Sequence, residues 1–136
     1  MGEPFVHELR VRWGECDPQG IVFNANYVSY VDDAVGALWR QAFGSYDAMV
    51  ERGIDMVVAE LNLVYRAPAR PEEEIAVEMR IQRLGETSMT SGMNVVRGAD
   101  LLVEARIRHV FVDTATWGKT PIPDWLRSGL APYSDV

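Results

Sequence analysis

Residues 13–43 read WGECDPQGIVFNANYVSYVDDAVGALWRQAF, a turn-rich loop that leads into a helical pattern. From Asn24 to Phe43, apolar side chains recur at intervals of three and four, which is the spacing of a helix that buries one face. The set comprises Tyr27, Tyr30, Val31, Ala34, Val35, Leu38, Trp39, Ala42 and Phe43. Asn24 or Asn26 can cap the start of this helix, and Gly44 can cap its end. We therefore predict one long helix whose wide apolar coverage requires an enclosing sheet.

Strand patterns lie on both sides of this helix. Residues 4–13 alternate strictly, which predicts a strand with Phe5, His7, Leu9, Val11 and Trp13 on its apolar face. Four more strand patterns follow: Val57 to Tyr65, Ile75 to Gln82, 86–97 and 101–113, the last two joined by a hairpin turn at 98–100. Residues 121–130 read as a short terminal helix. The fold class predicted is α+β, an antiparallel five-stranded sheet wrapped around a long central helix.

Length and charge restrict the function. The chain has 136 residues and a formal net charge of -7, so we expect one domain spanning residues 1–136 and no broad attraction to nucleic acid or anionic membrane. The single cysteine, Cys16, and two histidines offer neither an internal disulfide nor a zinc-type ligand set. No apolar run is long enough to cross a membrane. These features predict a cytoplasmic protein with no metal and no membrane insertion.

The loop at 14–23 and the helix that follows carry the chemistry. The sequence D-P-Q-G-I-V at residues 17–22, followed by Asn26-Tyr27 on the helix, resembles the N-terminal signature of hot dog-fold acyl-CoA thioesterases. The resemblance is closest to the 4-hydroxybenzoyl-CoA thioesterase and Tol-Pal-associated acyl-CoA thioesterase group. It extends through residues 51–54 and 65–70 to the C-terminal P-I-P-D-W-L at 121–126, and so implies a hot dog fold for nearly the whole chain.

The resemblance implies a set of site residues. Asp17 matches the catalytic carboxylate, which attacks the thioester carbonyl as a nucleophile or activates a water as a general base. The backbone amide at Asn24 matches the oxyanion donor. Asp32 matches a position that meets the substrate's phenol in the 4-hydroxybenzoyl enzyme, where the Tol-Pal-associated group carries Glu. Gly20, Tyr27 and Arg83 complete the substrate-binding candidates.

Each of these residues also has a purely structural interpretation. Asp17 before a proline can start a turn, the Asn24 side chain can cap the helix, and Asp32 can be a solvated surface carboxylate. The CoA phosphates need cations, and the candidates are Arg66, Arg70, Arg83, Arg97 and Lys119, each of which can equally be a solvated surface charge.

Two other chemistries fit the sequence poorly. A Cys16 nucleophile lacks a nearby histidine, because His7 and His109 fall on the apolar faces of strands, where a packed histidine is the usual case. Hot dog hydratases use an Asp and a His five residues apart, and the residue five after Asp17 is Val22.

The sequence therefore predicts hydrolysis of acyl-CoA thioesters to free acid and CoA, without metal or organic cofactor. The alternative is a domain that binds acyl-CoA, or an acyl carrier protein, without turning it over. A chain this small has little surface left for a deep pocket of its own. The resemblance accordingly implies a homodimer with paired sheets or a homotetramer.

Overall fold

The computed structural model describes residues 3–135 and contains one sheet of five strands. The strands are β1 (Phe5–Arg10), β2 (Ile54–Tyr65), β3 (Glu74–Leu84), β4 (Ser88–Arg97) and β5 (Asp100–Asp113). Their order across the sheet is β1-β3-β4-β5-β2, and each of the four neighbouring pairs is antiparallel. Three helices accompany the sheet: α1 (Asn26–Phe43), α2 (Tyr46–Glu51) and α3 (Asp124–Leu130). The predicted α+β class and the antiparallel five-stranded sheet are confirmed.

The core lies between the sheet and the apolar face of α1, which is 18 residues long. The buried side chains of α1 are Tyr27, Tyr30, Val31, Ala34, Val35, Leu38 and Trp39, all members of the predicted stripe. Alternate residues of β3 supply the opposite wall: Ile75, Val77, Met79 and Ile81. Each such buried side chain stabilises the fold by about 2 kcal/mol. None of the helices within residues 3–135 combines the length and the apolar character needed to cross a membrane.

The predicted caps of α1 are correct at the end and wrong at the start. Gly44 has φ +85° and its N–H donates to the Arg40 carbonyl oxygen at 3.0 Å. At the other end the helix begins at Asn26, after Ala25, and no side chain caps it. The Asn26 side chain donates instead to the Glu15 carbonyl oxygen at 2.7 Å. It therefore binds the loop before α1 and does not cap the helix.

The first strand is shorter than predicted. It ends at Arg10, and Trp13–Glu15 form a short 3₁₀ turn, because the Glu15 carboxylate accepts a hydrogen bond from the Arg12 N–H at 2.8 Å. The expected inward position of Trp13 is therefore wrong: this side chain is 70% exposed.

Irregularities in register also change which residues of β2 and β5 point inward. A bulge between Val58 and Glu60 reverses the alternation, so Ile54 and Met56 are buried before it, whereas the half-buried odd-numbered residues Leu61 and Leu63 follow it. Val57 and Tyr65, predicted on the apolar face, are 41% and 49% exposed. Leu101 is exposed for a similar reason, since the β4–β5 register shifts between Val95 and Val96.

Two short helices frame the end of α1. The sequence prediction missed α2, whose signal is local: the Ser45 hydroxyl accepts a hydrogen bond from the Ala48 N–H at 3.0 Å. The predicted terminal helix is present as α3, preceded directly by Pro123. Gly129 lies inside α3, where a Cβ atom would collide with the ring of Phe43.

Candidate active site

The loop between β1 and α1 folds as a tight hairpin. Cys16 and Val22 form a bridge, and the Asp17 N–H donates to the Ile21 carbonyl oxygen at 2.9 Å. The Gly20 N–H returns to the Asp17 carbonyl oxygen at 2.9 Å, and Gly20 has φ +77°, a conformation that favours glycine. Gly20 is therefore a turn residue near Asp17, and its predicted contact with substrate stays a prediction.

The Asp17 carboxylate has one oxygen committed to this turn. Its Oδ1 accepts a hydrogen bond from the Gln19 N–H at 2.8 Å. No donor within residues 3–135 binds the second oxygen, Oδ2. The turn-forming and chemical roles of Asp17 are therefore compatible, since each can use a different oxygen.

Backbone amides without acceptors follow the hairpin. The N–H groups of Val22 and Phe23 donate to the carbonyl oxygens of Ala69 and Glu15, both at 2.9 Å. Among the described residues nothing accepts from the N–H groups of Asn24 and Ala25, the last two before α1. Free amides at the positive end of a helix dipole are suited to hold a developing oxyanion.

The hairpin, the free amides and the end of β2 surround a cavity of about 480 Å³, which we name the Asp17 cavity. It is lined by Asp17, Gln19, Ile21, Val22, Asn24, Tyr27, Tyr65, Arg66, Ala67 and Pro68. Three predicted site residues, Asp17, Asn24 and Tyr27, therefore share one space.

Two tyrosines hold the cavity wall. The Tyr27 hydroxyl accepts a hydrogen bond from the Ala69 N–H at 3.2 Å, and burial raises the pKa of Tyr27. Tyr65 packs edge-on against the Tyr27 ring with 5.7 Å between centroids and donates its hydroxyl to the Asn24 carbonyl oxygen at 2.9 Å. Sequence reasoning missed Tyr65 as a site residue because its position in β2 pointed to the core.

Glu15 ties the hairpin to α1. Its carboxylate Oε1 accepts from the Tyr30 hydroxyl at 2.9 Å as well as from the Arg12 N–H. Burial and this hydrogen bond raise the pKa of Tyr30 well above its usual range. The carbonyl oxygen of Glu15 receives the Phe23 N–H and the Asn26 side chain. Glu15 thus fixes both ends of the segment that carries Asp17 and the free amides.

Three of the candidate cations lie at this end of the fold. Arg66 lines the Asp17 cavity and pairs with Glu104 at 2.7 Å. Arg97 donates to the carbonyl oxygen of Pro68, another lining residue, at 3.1 Å. Arg70 follows on the same segment. Arg83 is opposite Thr90 at the end of β3, next to the β3–β4 turn, and Lys119 is bridged to Val112 near the end of β5, so neither borders the cavity.

Asp32 borders a second cavity of about 270 Å³, which we name the Asp32 cavity. Its lining residues are Asp32, Val35, Gly36, Tyr46, Met56, Val58 and His109. His109 is 3% exposed, and burial lowers its pKa to about 4, so its imidazole is neutral at physiological pH. The Tyr46 hydroxyl donates to Asp55 Oδ1 at 2.5 Å. The sequence analysis identified Asp32 as a candidate but not the rest of this cavity, because Tyr46 in its wall belongs to α2, a helix that was not predicted.

The environment of Cys16 does not favour a nucleophile. Burial, followed by the neighbouring carboxylates of Glu15 and Asp17, raises the pKa of the thiol, which therefore stays protonated and weakly reactive. Within residues 3–135, no group of three or more His, Cys, Asp or Glu side chains is placed to hold a metal ion.

Comparison with known proteins identifies the family. The model of the Thioesterase-like superfamily matches residues 11–130. A relative from Escherichia coli O6:H1, named Acyl-CoA thioester hydrolase YbgC, is 28% identical over 110 residues, covering 80% of this chain and 82% of its own.

Solved structures share the fold. A protein from Thermus thermophilus superposes with a TM-score of 0.86 at 29% identity, covering 94% of this chain and 98% of that one. A thioesterase superfamily structure from Jannaschia sp. CCS1 has a TM-score of 0.91 at 24% identity, covering 98% and 94%, and supports the fold alone. With its antiparallel sheet and helices in the hot dog arrangement, the chain belongs to the Thioesterase-like superfamily.

Proposed function

We propose that this protein hydrolyses acyl-CoA thioesters at the Asp17 cavity. The observation that carries the proposal is that the Asp17 carboxylate and the backbone at Asn24, with its unpaired N–H, border the same space. Thioester hydrolysis needs a base or nucleophile on one side of the carbonyl and hydrogen-bond donors for its oxygen. The name of the E. coli relative supports this reaction class.

Two routes use the same residues. In the general-base route, Asp17 takes a proton from water as the water oxygen bonds to the thioester carbon. The Asn24 and Ala25 amides stabilise the oxyanion, which collapses with loss of the CoA thiolate, and the thiolate is then protonated. In the nucleophilic route, Asp17 bonds to the carbonyl carbon and expels the thiolate, and water then hydrolyses the mixed anhydride.

The anionic end of CoA needs cations near the cavity. Arg66, Arg70 and Arg97 are the best placed, because they lie on or against the segment that borders it. On a chain with a net charge of -7, such local clustering is what allows phosphate binding. For Arg83 to contact CoA, a ligand bound by this chain or by a second chain would have to reach the end of β3.

We also propose that the active form is a homodimer, which can pair further into a homotetramer. Strand β2 is an edge strand of 12 residues with Val57, Val58, Val64 and Tyr65 exposed. A long apolar edge strand with unpaired backbone groups favours pairing with another strand. The cytoplasmic location, the 4-hydroxybenzoyl-CoA/Tol-Pal subgroup, a carrier-protein substrate and the single-domain extent 1–136 remain predictions.

The decisive experiment measures thiol release from a panel of aryl-CoA and fatty acyl-CoA substrates by the wild type, Asp17→Asn and Asp124→Asn. Asparagine at position 17 retains a carbonyl oxygen to accept the Gln19 N–H, so the turn is preserved while the carboxylate is lost. Asp124→Asn makes the same change on an exposed residue of α3. We expect at least a hundredfold fall in kcat for Asp17→Asn only.

Two outcomes would contradict the proposal. Wild-type release no faster than buffer, with measurable acyl-CoA binding, would favour the non-catalytic binding function. Equal rates for Asp17→Asn and the wild type would remove Asp17 from the chemistry. A single turnover in ¹⁸O-water can demonstrate the nucleophilic route: if water attacks the Asp17 carboxyl carbon of the anhydride, the label enters Asp17 and a protein oxygen leaves in the product acid, which the general-base route cannot produce.

A further inference from the structure

Ala69 is the buried residue at which the loop between β2 and β3 meets the candidate site. Its N–H donates to the Tyr27 hydroxyl at 3.2 Å, and its carbonyl oxygen accepts from the Val22 N–H at 2.9 Å. The two free amides that follow the hairpin lie between Val22 and Tyr27 in the sequence. Ala69 therefore holds both ends of the segment that presents the proposed oxyanion donors.

An ion pair holds the other side of the segment around Ala69. Arg97 Nη1 donates to the Pro68 carbonyl oxygen at 3.1 Å and to Glu73 Oε1 at 3.0 Å. The same Oε1 accepts from the Arg70 N–H at 2.7 Å. Pro68 and Arg70 are the neighbours of Ala69 in the sequence, so the ion pair binds both of the peptide groups that flank it.

The two peptide groups connect the ion pair to the candidate site. In a trans peptide group the carbonyl oxygen and the N–H point in opposite directions. The group before Ala69 has its oxygen on Arg97 and its N–H on Tyr27. The group after Ala69 has its oxygen on Val22 and its N–H on Glu73. Rotating either group therefore breaks one hydrogen bond to the ion pair and one to the site together.

The ion pair is partly shielded from solvent and is anchored to a second element. The side chains of Arg97 and Glu73 are 28% and 29% exposed, so solvent screens their attraction less than that of a fully exposed pair. Arg97 Nη2 also pairs with Asp100, the first residue of β5, at 3.3 Å. The guanidinium is thus held between the β4–β5 turn and the loop that carries Ala69.

We propose that Arg97 and Glu73 are positioning residues for thioester hydrolysis, which act through the peptide groups on either side of Ala69. The proposal rests on the proposed function, because the positioned groups are the amides at Asn24 and Ala25. Neither side chain needs to touch the reacting atoms. This role is separate from phosphate binding, for which Arg97 is one of the candidate cations.

The test compares an acyl-CoA with the same acyl group on N-acetylcysteamine, which has the thiol end of CoA without its phosphates. Arg97→Met and Glu73→Ala should each lower kcat by about fivefold or more on both thioesters, because misplaced amides stabilise the transition state less. The KM for the truncated thioester should stay within about twofold of the wild type. Glu73→Gln retains an oxygen that can accept from Arg70 and Arg97, and should recover most of kcat.

Phosphate binding alone predicts different results for the same variants. Arg97→Met would then raise KM for the acyl-CoA and leave the truncated thioester unaffected. Glu73→Ala would remove a carboxylate that competes with the phosphates for Arg97, and would lower KM for the acyl-CoA or leave it unchanged. A fall in kcat on the truncated thioester in both variants is therefore the result that supports positioning.

Arg127→Met is the matched control. Arg127 also donates to backbone carbonyl oxygens, those of Gly85 at 2.6 Å and Ile122 at 3.2 Å, but at the other end of β4. Its replacement should leave kcat unchanged. An equal fall in kcat for Arg127→Met, or an unchanged kcat on the truncated thioester for Arg97→Met or Glu73→Ala, would overturn the proposal. Loss of turnover in Asp17→Asn beside an unchanged Arg97→Met would do so while leaving the proposed function intact.

Amide hydrogen exchange followed by NMR tests the positioning without any turnover. The N–H groups of Val22 and Ala69 should exchange about fivefold or more faster in Arg97→Met than in the wild type, because the peptide groups that hold them are released. Arg127→Met should leave both exchange rates unchanged. Unchanged exchange at Val22 and Ala69 in Arg97→Met would overturn the proposal whether or not the protein hydrolyses thioesters.

Discussion

The Tyr65 hydroxyl donates a hydrogen bond at 2.9 Å to the Asn24 carbonyl oxygen, and this contact joins the edge strand β2 to the turn that presents the free amides. The two residues are 41 apart in sequence, and both line the Asp17 cavity. The orientation of the proposed oxyanion donors therefore depends on a residue of another element.

Tyr65→Phe tests this dependence. Removing the hydroxyl of a half-exposed tyrosine should lower the free energy of unfolding by only about 0.5–1 kcal/mol. It should lower kcat severalfold with KM nearly unchanged, because the amide acts mainly on the transition state. Tyr133→Phe, which removes the acceptor of the Gln41 side chain at 2.7 Å, is the control and should leave kcat unchanged. An increase in KM alone would show that Tyr65 only binds substrate.

The contact between Glu15 and Tyr30 should be worth more to stability. Glu15→Ala leaves the buried Tyr30 hydroxyl without an acceptor and frees the Arg12 N–H, which should lower the free energy of unfolding by about 2–3 kcal/mol. Tyr30→Phe removes both the donor and the need for its partner and should cost about 1 kcal/mol. Urea unfolding of both variants and the double variant measures the coupling. Strict additivity would mean that this hydrogen bond does not support the loop.

His109 should make stability depend on pH. Burial lowers the pKa of His109 to about 4 in the folded chain, whereas an exposed histidine titrates near 6.5. Between these values the unfolded chain binds a proton that the folded chain does not, so the free energy of unfolding falls as the pH falls through this window. The loss is about 1.4 kcal/mol per pH unit and about 3 kcal/mol in total.

His109→Leu is the variant that isolates this effect. It should remove about 3 kcal/mol of the decline between pH 6.5 and pH 4, while the decline due to carboxylates is common to both proteins. Thermal or urea unfolding across this range measures the difference. Parallel stability curves for the two proteins would show that His109 titrates normally in the folded chain.

Two helical glycines should respond to alanine with opposite signs. Gly36 has ordinary space for a methyl group, the nearest atom being Arg40 Nη1 at 3.6 Å, so Gly36→Ala should stabilise the protein by about 0.5–1 kcal/mol. At Gly129 the methyl group would collide with the Phe43 ring, and Gly129→Ala should cost about 1–3 kcal/mol. Unfolding midpoints compare them directly. Stabilisation at both positions would mean that α3 can move away from Phe43 at no cost.

The proposed dimer predicts a difference between the two edge strands. Val57→Lys places a charge on the exposed edge β2 and should shift the protein to monomers, as measured by light scattering after size exclusion. Val6→Lys makes the same change on the other edge strand, β1, where the valine is 45% exposed, and should leave the assembly unchanged. A monomeric wild type, or a Val57→Lys dimer, would contradict pairing through β2.

Local sequence patterns were sufficient to predict helix α1 and most of the strands. The period of α1 predicted its buried face, and the alternation in β3 predicted its inner residues, because both patterns repeat without interruption. In β2, one bulge at Val58 reversed the pattern, and an extra residue of this kind has no marker in the sequence. Asn26 lies at the start of α1, as predicted, but its side chain donates a hydrogen bond to the Glu15 carbonyl oxygen. This contact joins residues 11 apart in sequence and could not be predicted from the helical pattern.

In the candidate site, too, some residues could be predicted from local sequence and others depend on tertiary contacts. Asp17, Gly20, Asn24 and Tyr27 come from one short segment, so their proximity follows from local turn chemistry. Tyr65 and His109 reach their cavities through strand register and through α2 packing against β2, and neither relation can be read from neighbouring residues.

The position of His109 on β5 has a consequence for how such a protein can change. The residues proposed for bond cleavage are carried by the segment from Glu15 to Tyr27, whereas most of the wall of the Asp32 cavity is carried by the separate elements α2, β2 and β5. We therefore expect a substitution at 46, 58 or 109 to reshape the Asp32 cavity without moving the residues proposed for the chemical step. In a scaffold divided in this way, point mutations can change the shape of one cavity while the residues of the other keep their positions.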